Sequence, residues 1–324
     1  MSYLEDHYNE IFKKYSTEEL LEDIRNYQLG GGKLTKVLNH FFEEEMFKCC
    51  GKKTSVSPMD CLQDDEMMDK ILAYVKSKPK FFTAPSEVAN VKSCLRNSMS
   101  WVRKVANFPP KEARRIYNYY NPEGRKLNCL DTSAGFGSRM SGALLSGNNY
   151  CGFDPNRTLF KQLVAYKKFL SENNVIEPNR RCGLYNHGSE IHRPELDGLF
   201  DVSFTSPPYF NLEKYSDDDS ESTKNYNNYQ AWVDYFVIPA VTNTYMYLKV
   251  GGYAMINIKN LTRKGKEPLF DDWLKLFDEH SGFEFVEIFE MKHQGAKNFW
   301  MNTNYNKEDY KGFQEPIMSF RKVS

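Results

Sequence analysis

The first hundred residues carry apolar side chains at the spacing of amphipathic helices. Ser16 and Glu19 stand three residues apart directly before such a stretch, which is the pattern of a helix capping box. This pattern predicts a helix that begins after Ser16 and ends at the glycine run of residues 30–32. Further helices are predicted over residues 34–49, 65–75 and 86–106.

From about residue 108 the pattern changes, and short apolar runs alternate with helical ones. Strands are predicted at residues 127–131, 150–153, 182–186, 202–205, 253–258, 283–291 and 316–320. Helices are predicted between them at residues 139–146, 159–173, 229–248 and 269–279. Such alternation favours an α/β fold with a doubly wound, parallel sheet. The last two strands have no helix between them, which predicts an antiparallel hairpin at one edge of the sheet.

The length of the chain fits this division, because 324 residues exceed what one hydrophobic core usually serves. We therefore predict an N-terminal helical region, residues 1–106, and an α/β domain, residues 107–324. No apolar run approaches the ~20 residues that cross a bilayer, and the polar N-terminus lacks the apolar stretch of a secretory signal. The seven cysteines include no Cys-x-x-Cys pair, which favours reduced thiols. These features predict a cytoplasmic protein, in the host-cell cytoplasm if its source is viral, without membrane contact.

A glycine-rich turn is predicted directly after an apolar strand and directly before a helix, at residues 131–137. Glycines let the backbone turn sharply and approach a ligand closely, and the following helix offers unpaired N–H groups. Asp154 stands nineteen residues after Gly135, at the end of the next predicted strand, where an acid accepts ribose hydroxyls. The sequence therefore predicts a nucleotide-like ligand here. The alternative is a tight strand-to-helix turn with a capping aspartate.

A second candidate site, Ser206-Pro207-Pro208-Tyr209, follows the apolar strand at residues 202–205. Two consecutive prolines donate no hydrogen bond to a sheet, and they hold the backbone extended. Ser206 adds a hydroxyl acceptor, and Tyr209 and Phe210 add flat aromatic faces on which a base could stack. This combination predicts a binding site for a planar ring that carries an exocyclic amine. The alternative is an ordinary turn at the end of a strand.

Together these motifs resemble the S-adenosylmethionine-dependent amino-methyltransferases that modify the exocyclic nitrogen of cytosine or adenine in DNA. The glycine motif of that family corresponds to DTSAGFG at residues 131–137, and its catalytic tetrapeptide corresponds to Ser206-Pro207-Pro208-Tyr209. The resemblance covers roughly residues 108–324. It implies a mostly parallel, seven-stranded methyltransferase sheet and S-adenosylmethionine as the cofactor. Thr132 and Ser133 are departures, because the family frequently has Pro and Phe there.

The resemblance also implies roles for particular residues. Its cofactor contacts are Phe108, Asp131, Ser133, Ala134, Gly135, Gly137, Asp154, Ser189, Glu190 and Thr205. The catalytic residues that it implies are Ser206, Pro207, Pro208 and Tyr209. The predicted substrate contacts are Phe210, through its aromatic face, the basic residues Lys104, Arg114 and Arg115, and Lys297 of the loop at residues 292–300. For Ser189 and Glu190 the alternative is a plain loop. No spacing of histidine or cysteine indicates a metal site, and we predict none.

The predicted reaction follows from the chemistry of an aromatic amine, which is a poor nucleophile because its lone pair is delocalised into the ring. If Ser206 Oγ and the Pro207 carbonyl accept its N–H bonds, the lone pair becomes localised on nitrogen. Positioning and charge placement then supply most of the rate, and no strong base is needed beforehand. The target base has to leave its duplex or be single stranded already.

The charge of the chain is zero in total, with 43 basic and 43 acidic residues, but it is unevenly distributed. Residues 76–126 carry twelve basic and three acidic side chains, which predicts phosphate contacts with a nucleic acid. A solvated helix face is the alternative. Residues 292–300 combine basic and aromatic side chains, which is typical of a mobile loop, and the resemblance implies that such a loop helps to hold an extruded base. Burial of Phe299 and Trp300 against the core is the alternative.

Three interpretations of the substrate stay open. DNA is the predicted partner, and Ser206 favours the N4 atom of cytosine over the N6 atom of adenine. RNA, or a glutamine side-chain amide in a protein, would allow the same half-reaction. A non-catalytic, nucleic-acid-binding subunit is the third interpretation. The sequence gives no indication of the oligomeric state.

Overall fold

The computed structural model describes residues 2–51, 56–96, 102, 105–210, 215, 226, 228–260, 268–291, 300–301 and 316–324. The described strands, in chain order, are β1 (Asn128–Asp131), β2 (Asn149–Phe153), β3 (Cys182–Tyr185), β4 (Phe200–Thr205), β5 (Leu248–Asn257), β6 (Phe283–Met291), β7 (Trp300–Met301) and β8 (Pro316–Lys322). They form one sheet in the order β3-β2-β1-β4-β5-β8-β6-β7.

The sheet confirms the predicted fold class. Strands β1 to β5 pair in parallel, and β8 lies antiparallel between β5 and β6. The two-residue strand β7 extends that edge beyond the seven longer strands. The strand order reverses between β1 and β4, so the carboxyl ends of these two neighbours form the switch point at which ligands of doubly wound sheets bind.

The described part of the chain contains eleven α-helices and a short 3-10 helix at Pro194–Leu196. The helices are α1 (Tyr3–Ile11), α2 (Thr17–Gln28), α3 (Thr35–Lys48), α4 (Pro58–Gln63), α5 (Asp65–Ser77), α6 (Glu87–Arg96), α7 (Pro110–Tyr119), α8 (Ser138–Leu144), α9 (Arg157–Glu172), α10 (residues 229–247) and α11 (Leu269–Glu279). Helix α10 consists of Tyr229–Trp232, a π-helical turn at Val233–Val237, and Ile238–Tyr247. No described helix has the length and apolar character to cross a membrane.

Two apolar layers cover the two faces of the sheet, because successive side chains of a strand point to opposite faces. In β1, Cys129 belongs to the cluster under α7, α8 and α9, and Leu130 belongs to the cluster under α10 and α11. In β2, Tyr150 and Cys151 divide in the same way. Strands β1 and β2 are therefore buried on both faces, as is typical of a parallel sheet.

The N-terminal helices divide between two clusters. Helices α2 and α3 join the first sheet cluster through Tyr27 and Phe42, whereas α1, α4, α5 and α6 form a separate third cluster. The Tyr27 hydroxyl donates to the Pro110 carbonyl over 2.9 Å, and the Phe42 ring lies 5.8 Å from the ring of Tyr166. Helices α2 and α3 thus pack as part of the α/β core, and the domain boundary at residue 106 stays a prediction.

The predicted helix over residues 86–106 is wrong at its end. Helix α6 ends at Arg96, and Val102 instead forms a parallel bridge with Val56. Residues 105–109 are not helical. Pro109 accounts only for the absence of helix at Phe108, because the residue before a proline is disfavoured in helical geometry.

Most other boundaries follow the predictions more closely, although β5 begins at Leu248, five residues before the predicted strand at 253–258, and β7 was not predicted. The capping box at Ser16 is present, with its hydroxyl accepting from the Glu19 N–H group. Helix α2 ends at Gln28, and Gly30 then adopts the left-handed conformation at φ +87°. Helices α1 and α4 were not predicted, and both begin at serine-capped capping boxes.

Candidate active site

The glycine turn leaves β1 at Asp131 and enters α8 at Ser138. Gly135 and Gly137 adopt the left-handed conformation, with φ of +56° and +69°, which favours glycine at both positions. A Cβ atom on Gly137 would lie 2.6 Å from the ring of Phe42 in α3. Among the described residues, a Cβ atom on Gly135 would meet only the Ser133 carbonyl, at 3.8 Å. Gly137 is therefore packed against the N-terminal region, and Gly135 leaves open space in front of it.

Asp154 connects this turn to the next strand. One carboxylate oxygen accepts the Gly135 N–H group at 3.0 Å, and the other accepts the Asn156 N–H group at 3.0 Å. The Ala134 N–H group also donates to the Phe153 carbonyl at 2.8 Å. Asp154 is only 8% exposed, and burial raises its pKa to about 7 although both N–H bonds oppose that shift. The structure thus brings together Gly135 and Asp154, and ribose binding by Asp154 stays a prediction.

Asp131 has a different environment, because it is completely buried. One carboxylate oxygen accepts from Arg139 Nε at 2.9 Å and from the Tyr150 hydroxyl at 2.9 Å. The other oxygen accepts the Ser133 N–H group at 3.2 Å. The Arg139 guanidinium also donates to the Ser133 carbonyl. Asp131 and Ser133 are therefore held in one internal network beneath the turn, and their contacts with a cofactor stay predictions.

Polar atoms without partners collect at the carboxyl ends of β3 and β4. Ser189 and Thr205 are 1% and 3% exposed, and their hydroxyls have no hydrogen-bond partner among the described residues. The same holds, within that part of the chain, for one carboxylate oxygen of Glu190 and for His187 Nε2. Burial raises the pKa of Glu190. Buried polar groups are normally hydrogen-bonded, so this edge of the sheet suits a polar ligand.

His187 is the residue of this group that sequence reasoning did not select. Its ring lies 5.4 Å from Phe153 at the end of β2 and 5.7 Å from Tyr185 at the end of β3. Its Nδ1 atom lies 2.9 Å from the Gly188 carbonyl. The signal that could have identified it is its position, two residues after β3 on the same edge as the glycine turn.

The loop that holds Ser189 is fixed to helix α10. The Asn243 side-chain amide, which is buried, donates to the Ser189 carbonyl at 2.8 Å. The Tyr247 hydroxyl accepts the Arg193 N–H group at 2.7 Å. Helix α10 therefore positions the loop after β3 from the outer side of the sheet.

The tetrapeptide leaves the sheet at the end of β4. Ser206, Pro208 and Tyr209 are partly exposed, and Pro207 is buried. Phe210 is 8% exposed and packs with the rings of Tyr229 and Trp232 at 5.5 and 5.7 Å. The structure places Phe210 in the second apolar cluster, so a base could reach the tetrapeptide along Ser206 and Tyr209. Stacking of a base on Phe210 stays a prediction.

The segment before α7 lies alongside the glycine turn. The Phe108 ring packs against Phe204 of β4 at 5.1 Å, and the Asn107 side-chain amide donates to the Phe136 carbonyl at 3.4 Å. The structure thus brings Phe108 to the switch point, where the resemblance implies a cofactor contact.

Two of the three substrate contacts predicted in the basic segment, Arg114 and Arg115, make internal bonds. Arg114 donates to the carbonyls of Tyr27 and Gln28, at 3.3 and 3.2 Å, at the end of α2. Arg115 forms an ion pair with Glu112 at 3.0 Å. Lys104 and Lys297 lie outside the described residues, as do residues 292–299 and most of 211–227. All of these substrate contacts stay predictions.

The basic segment 76–126 is not one surface next to the site. Arg125 pairs with Asp201 at 2.9 Å near the amino end of β4, which is the edge of the sheet opposite to the glycine turn. Lys92 pairs with Glu43 of α3 at 2.8 Å. Acidic residues from other parts of the chain thus neutralise members of the segment, which a count within the segment could not reveal.

No group of three histidine, cysteine or acidic side chains suited to a metal ion occurs among the described residues. No protein-family model and no curated protein sequence matches the chain.

Solved structures with a similar arrangement of strands include three methyltransferases. A TehB-like SAM-dependent methyltransferase from Corynebacterium glutamicum is 16% identical with a TM-score of 0.41, and the match covers 65% of this chain and 86% of that one. A SAM-dependent O-methyltransferase from Thermotoga maritima is 11% identical with a TM-score of 0.41, covering 68% of each chain. A tRNA methyltransferase from Aquifex aeolicus is 13% identical with a TM-score of 0.39, covering 68% of this chain and 72% of that one. Similarity at this level assigns neither cofactor nor substrate to this chain.

Proposed function

We propose that the chain is an S-adenosylmethionine-dependent methyltransferase that modifies the exocyclic amine of a base in DNA, with the N4 atom of cytosine favoured over the N6 atom of adenine. The observation that carries this proposal is the convergence of two motifs at one edge. Strands β1 and β4 are parallel neighbours with Cys129 opposite Val202 and Leu130 opposite Ser203. The glycine turn and the Ser206 tetrapeptide therefore leave the sheet side by side.

The residues present fit the cofactor. Gly135 leaves open space in front of the turn, and Asp154 holds a carboxylate at the end of β2. The Ser189 hydroxyl and one Glu190 carboxylate oxygen, which have no hydrogen-bond partner among the described residues, lie after β3, where they could accept hydrogen bonds from an adenine ring. Phe108 and Phe204 supply apolar surface close to the turn. When bound, S-adenosylmethionine supplies an electrophilic methyl group.

The chain's own groups then act on the amine. Ser206 Oγ and the Pro207 carbonyl accept the two N–H bonds, which draws the nitrogen toward tetrahedral geometry and localises its lone pair. Pro207 is buried, so its position is fixed by packing before the base arrives. Tyr209 is partly exposed and stacks on the base. The methylated nitrogen would carry a positive charge directly after transfer, with S-adenosylhomocysteine as the leaving group, and because such an ammonium is acidic it loses its proton to solvent.

The test is transfer of a tritiated methyl group from S-adenosylmethionine to DNA, RNA and protein in parallel, followed by nucleoside analysis. We expect N4-methylcytosine in DNA. Ser206→Ala should keep cofactor binding and lower turnover by ~10²-fold, because it removes an acceptor used chiefly in the transition state. Ser171→Ala, an exposed serine of α9, is the matched control and should keep full turnover.

Each other outcome points to a different function. N6-methyladenine as the only product would show that the target is adenine and not cytosine. Label found only in RNA, or only in protein glutamine, would show that the substrate is RNA or protein and not DNA. Binding of nucleic acid without transfer to any substrate would indicate a non-catalytic subunit. Full turnover in Ser206→Ala would remove the tetrapeptide from the mechanism.

A further inference from the structure

A buried ionic network lies directly beneath the glycine turn. Asp131, Arg139 and Tyr150 are all buried, at the end of β1, in the first turn of α8 and in β2 respectively. Arg139 Nε and the Tyr150 hydroxyl both donate to the same Asp131 oxygen, each over 2.9 Å. The network therefore joins three elements of the core at the point where the chain turns toward the candidate site.

The same network holds the two peptide units that flank Ser133 in the turn. The Ser133 N–H group donates to Asp131 at 3.2 Å, and the Ser133 carbonyl accepts from the Arg139 guanidinium. Two residues later the chain reaches Gly135, whose N–H group donates to Asp154. The direction in which the turn presents Gly135 is therefore set by Asp131 and Arg139 through Ser133.

This arrangement leaves Asp131 unsuited to receive a ligand cation. Its carboxylate has no exposed surface and already accepts three hydrogen bonds, one of them within an ion pair. A ligand ammonium would either displace Arg139 and leave a buried guanidinium unpaired, or be buried as a second cation beside it, and both are strongly unfavourable. The resemblance to amino-methyltransferases implies a contact between Asp131 and the methionine end of the cofactor, and the packing of this chain opposes it.

We propose that Asp131 and Arg139 are positioning residues that hold the glycine turn in shape, and that Asp131 does not bind the cofactor ammonium. This inference rests on the proposed function, because it concerns the same cofactor site. Tyr150 supports the pair from β2, where a Cβ atom on Gly152 would lie 2.7 Å from the Tyr150 ring.

The test compares two ligands by calorimetry: S-adenosylhomocysteine and its deamino analogue, which lacks only the ammonium group. If Asp131 bound the ammonium, Asp131→Asn would weaken the first ligand at least tenfold and leave the second unchanged. A positioning role predicts that both ligands weaken by the same factor, within about twofold, because both depend on the shape of the turn. A loss confined to S-adenosylhomocysteine would overturn the proposal.

If Asp131→Asn does not fold, Tyr150→Phe distinguishes a positioning role from ammonium binding. This substitution keeps the ion pair of Asp131 with Arg139 and removes only the hydroxyl that donates to Asp131. With a positioning role, both ligands bind severalfold more weakly to Tyr150→Phe. With direct ammonium binding, the acceptor released on Asp131 would strengthen S-adenosylhomocysteine alone, which would overturn the proposal. Tyr119→Phe, at the end of α7, is the matched control and should bind both ligands like the wild type. Failure of the wild type to bind either ligand would instead reject the proposed function, and this inference with it.

Discussion

Asp154 shows how one residue combines a structural bond with a candidate ligand contact. Its oxygens accept N–H groups on both sides of the site, from Gly135 and from Asn156, while the side chain is almost fully buried. Burial raises its pKa from 3.8 to about 7, whereas in the unfolded chain the carboxyl has its ordinary pKa. Protonation of Asp154 is therefore coupled to folding over the whole range between these values.

The first prediction at the residue scale concerns this coupling. A carboxyl whose pKa is raised in the folded state contributes stability that is present below the unfolded pKa and is lost as the pH rises through about 7. Between pH 5 and pH 8 the contribution of Asp154 to the free energy of unfolding should fall by about 2–3 kcal/mol. Urea unfolding of Asp154→Asn should lack this fall, and Asp69→Asn, an exposed acid of α5, should retain it. An identical pH profile in the wild type and Asp154→Asn would contradict the raised pKa.

Residue types in a motif were predictable from the sequence, but their partners were not. The glycine turn and Asp154 were identified because glycines after an apolar strand and an acid at the next strand end are local signals. The ion pair of Asp131 with Arg139 was missed, although a charged residue in the first turn of a buried helix was visible. The contact of Gly137 with Phe42 joins residues almost a hundred positions apart, and no local pattern encodes it.

At the scale of elements, two glycines of the same turn have different reasons to be glycine. Both have positive φ, but only Gly137 faces the ring of Phe42, from helix α3. A side chain at Gly135 costs backbone strain alone, and a side chain at Gly137 also forces α3 away from the turn. Helix α3 is therefore part of the wall that shapes the candidate cofactor site.

This difference gives a prediction for a pair of substitutions. Gly135→Ala should destabilise folding by about 1–2 kcal/mol through strain, and it should weaken S-adenosylhomocysteine binding because its Cβ enters the open space. Gly137→Ala should cost about 2–4 kcal/mol, and Phe42→Leu should recover part of that loss in the double variant. Chemical denaturation of the wild type, Gly137→Ala, Phe42→Leu and the double variant measures the coupling between the ring and the turn. Strict additivity of Gly137→Ala and Phe42→Leu would show that the ring and the turn do not press on each other.

The strands were predicted well because their apolar runs are short, continuous and separated by turns. The N-terminal helices were predicted in part, since capping boxes and helical spacing are local. Which apolar cluster each helix joins depends on distant residues, such as Tyr27 bonding to Pro110 and Glu43 pairing with Lys92. The segment after α6 was predicted wrongly because its apolar and charged residues have helical spacing. In the structure Val102 instead pairs with Val56, a residue far away in the sequence.

For the whole molecule, the apolar cluster to which each N-terminal helix belongs determines whether that helix can be deleted without loss of folding. Helices α2 and α3 cover Ile116, Tyr117 and Tyr166 of the α/β core, so they share one cluster with the candidate site. Helix α1 belongs to the third cluster, with Leu4 and Ile11 as its buried residues. A cut at residue 106, the boundary predicted from the sequence, therefore passes through a continuous apolar core.

The last prediction compares two truncated chains. Residues 107–324 alone should not show a cooperative thermal transition, because removal of α2 and α3 exposes apolar surface at about 25 cal/mol per Å² around the glycine turn. A chain that starts at residue 14 lacks only α1 and keeps the Ser16 capping box, so it should unfold cooperatively and bind S-adenosylhomocysteine with wild-type affinity. Circular dichroism melts and calorimetry measure both properties. If residues 107–324 instead fold and bind the ligand like the full chain, the boundary at 106 is real, and the contact of Phe42 with Gly137 is dispensable for the site.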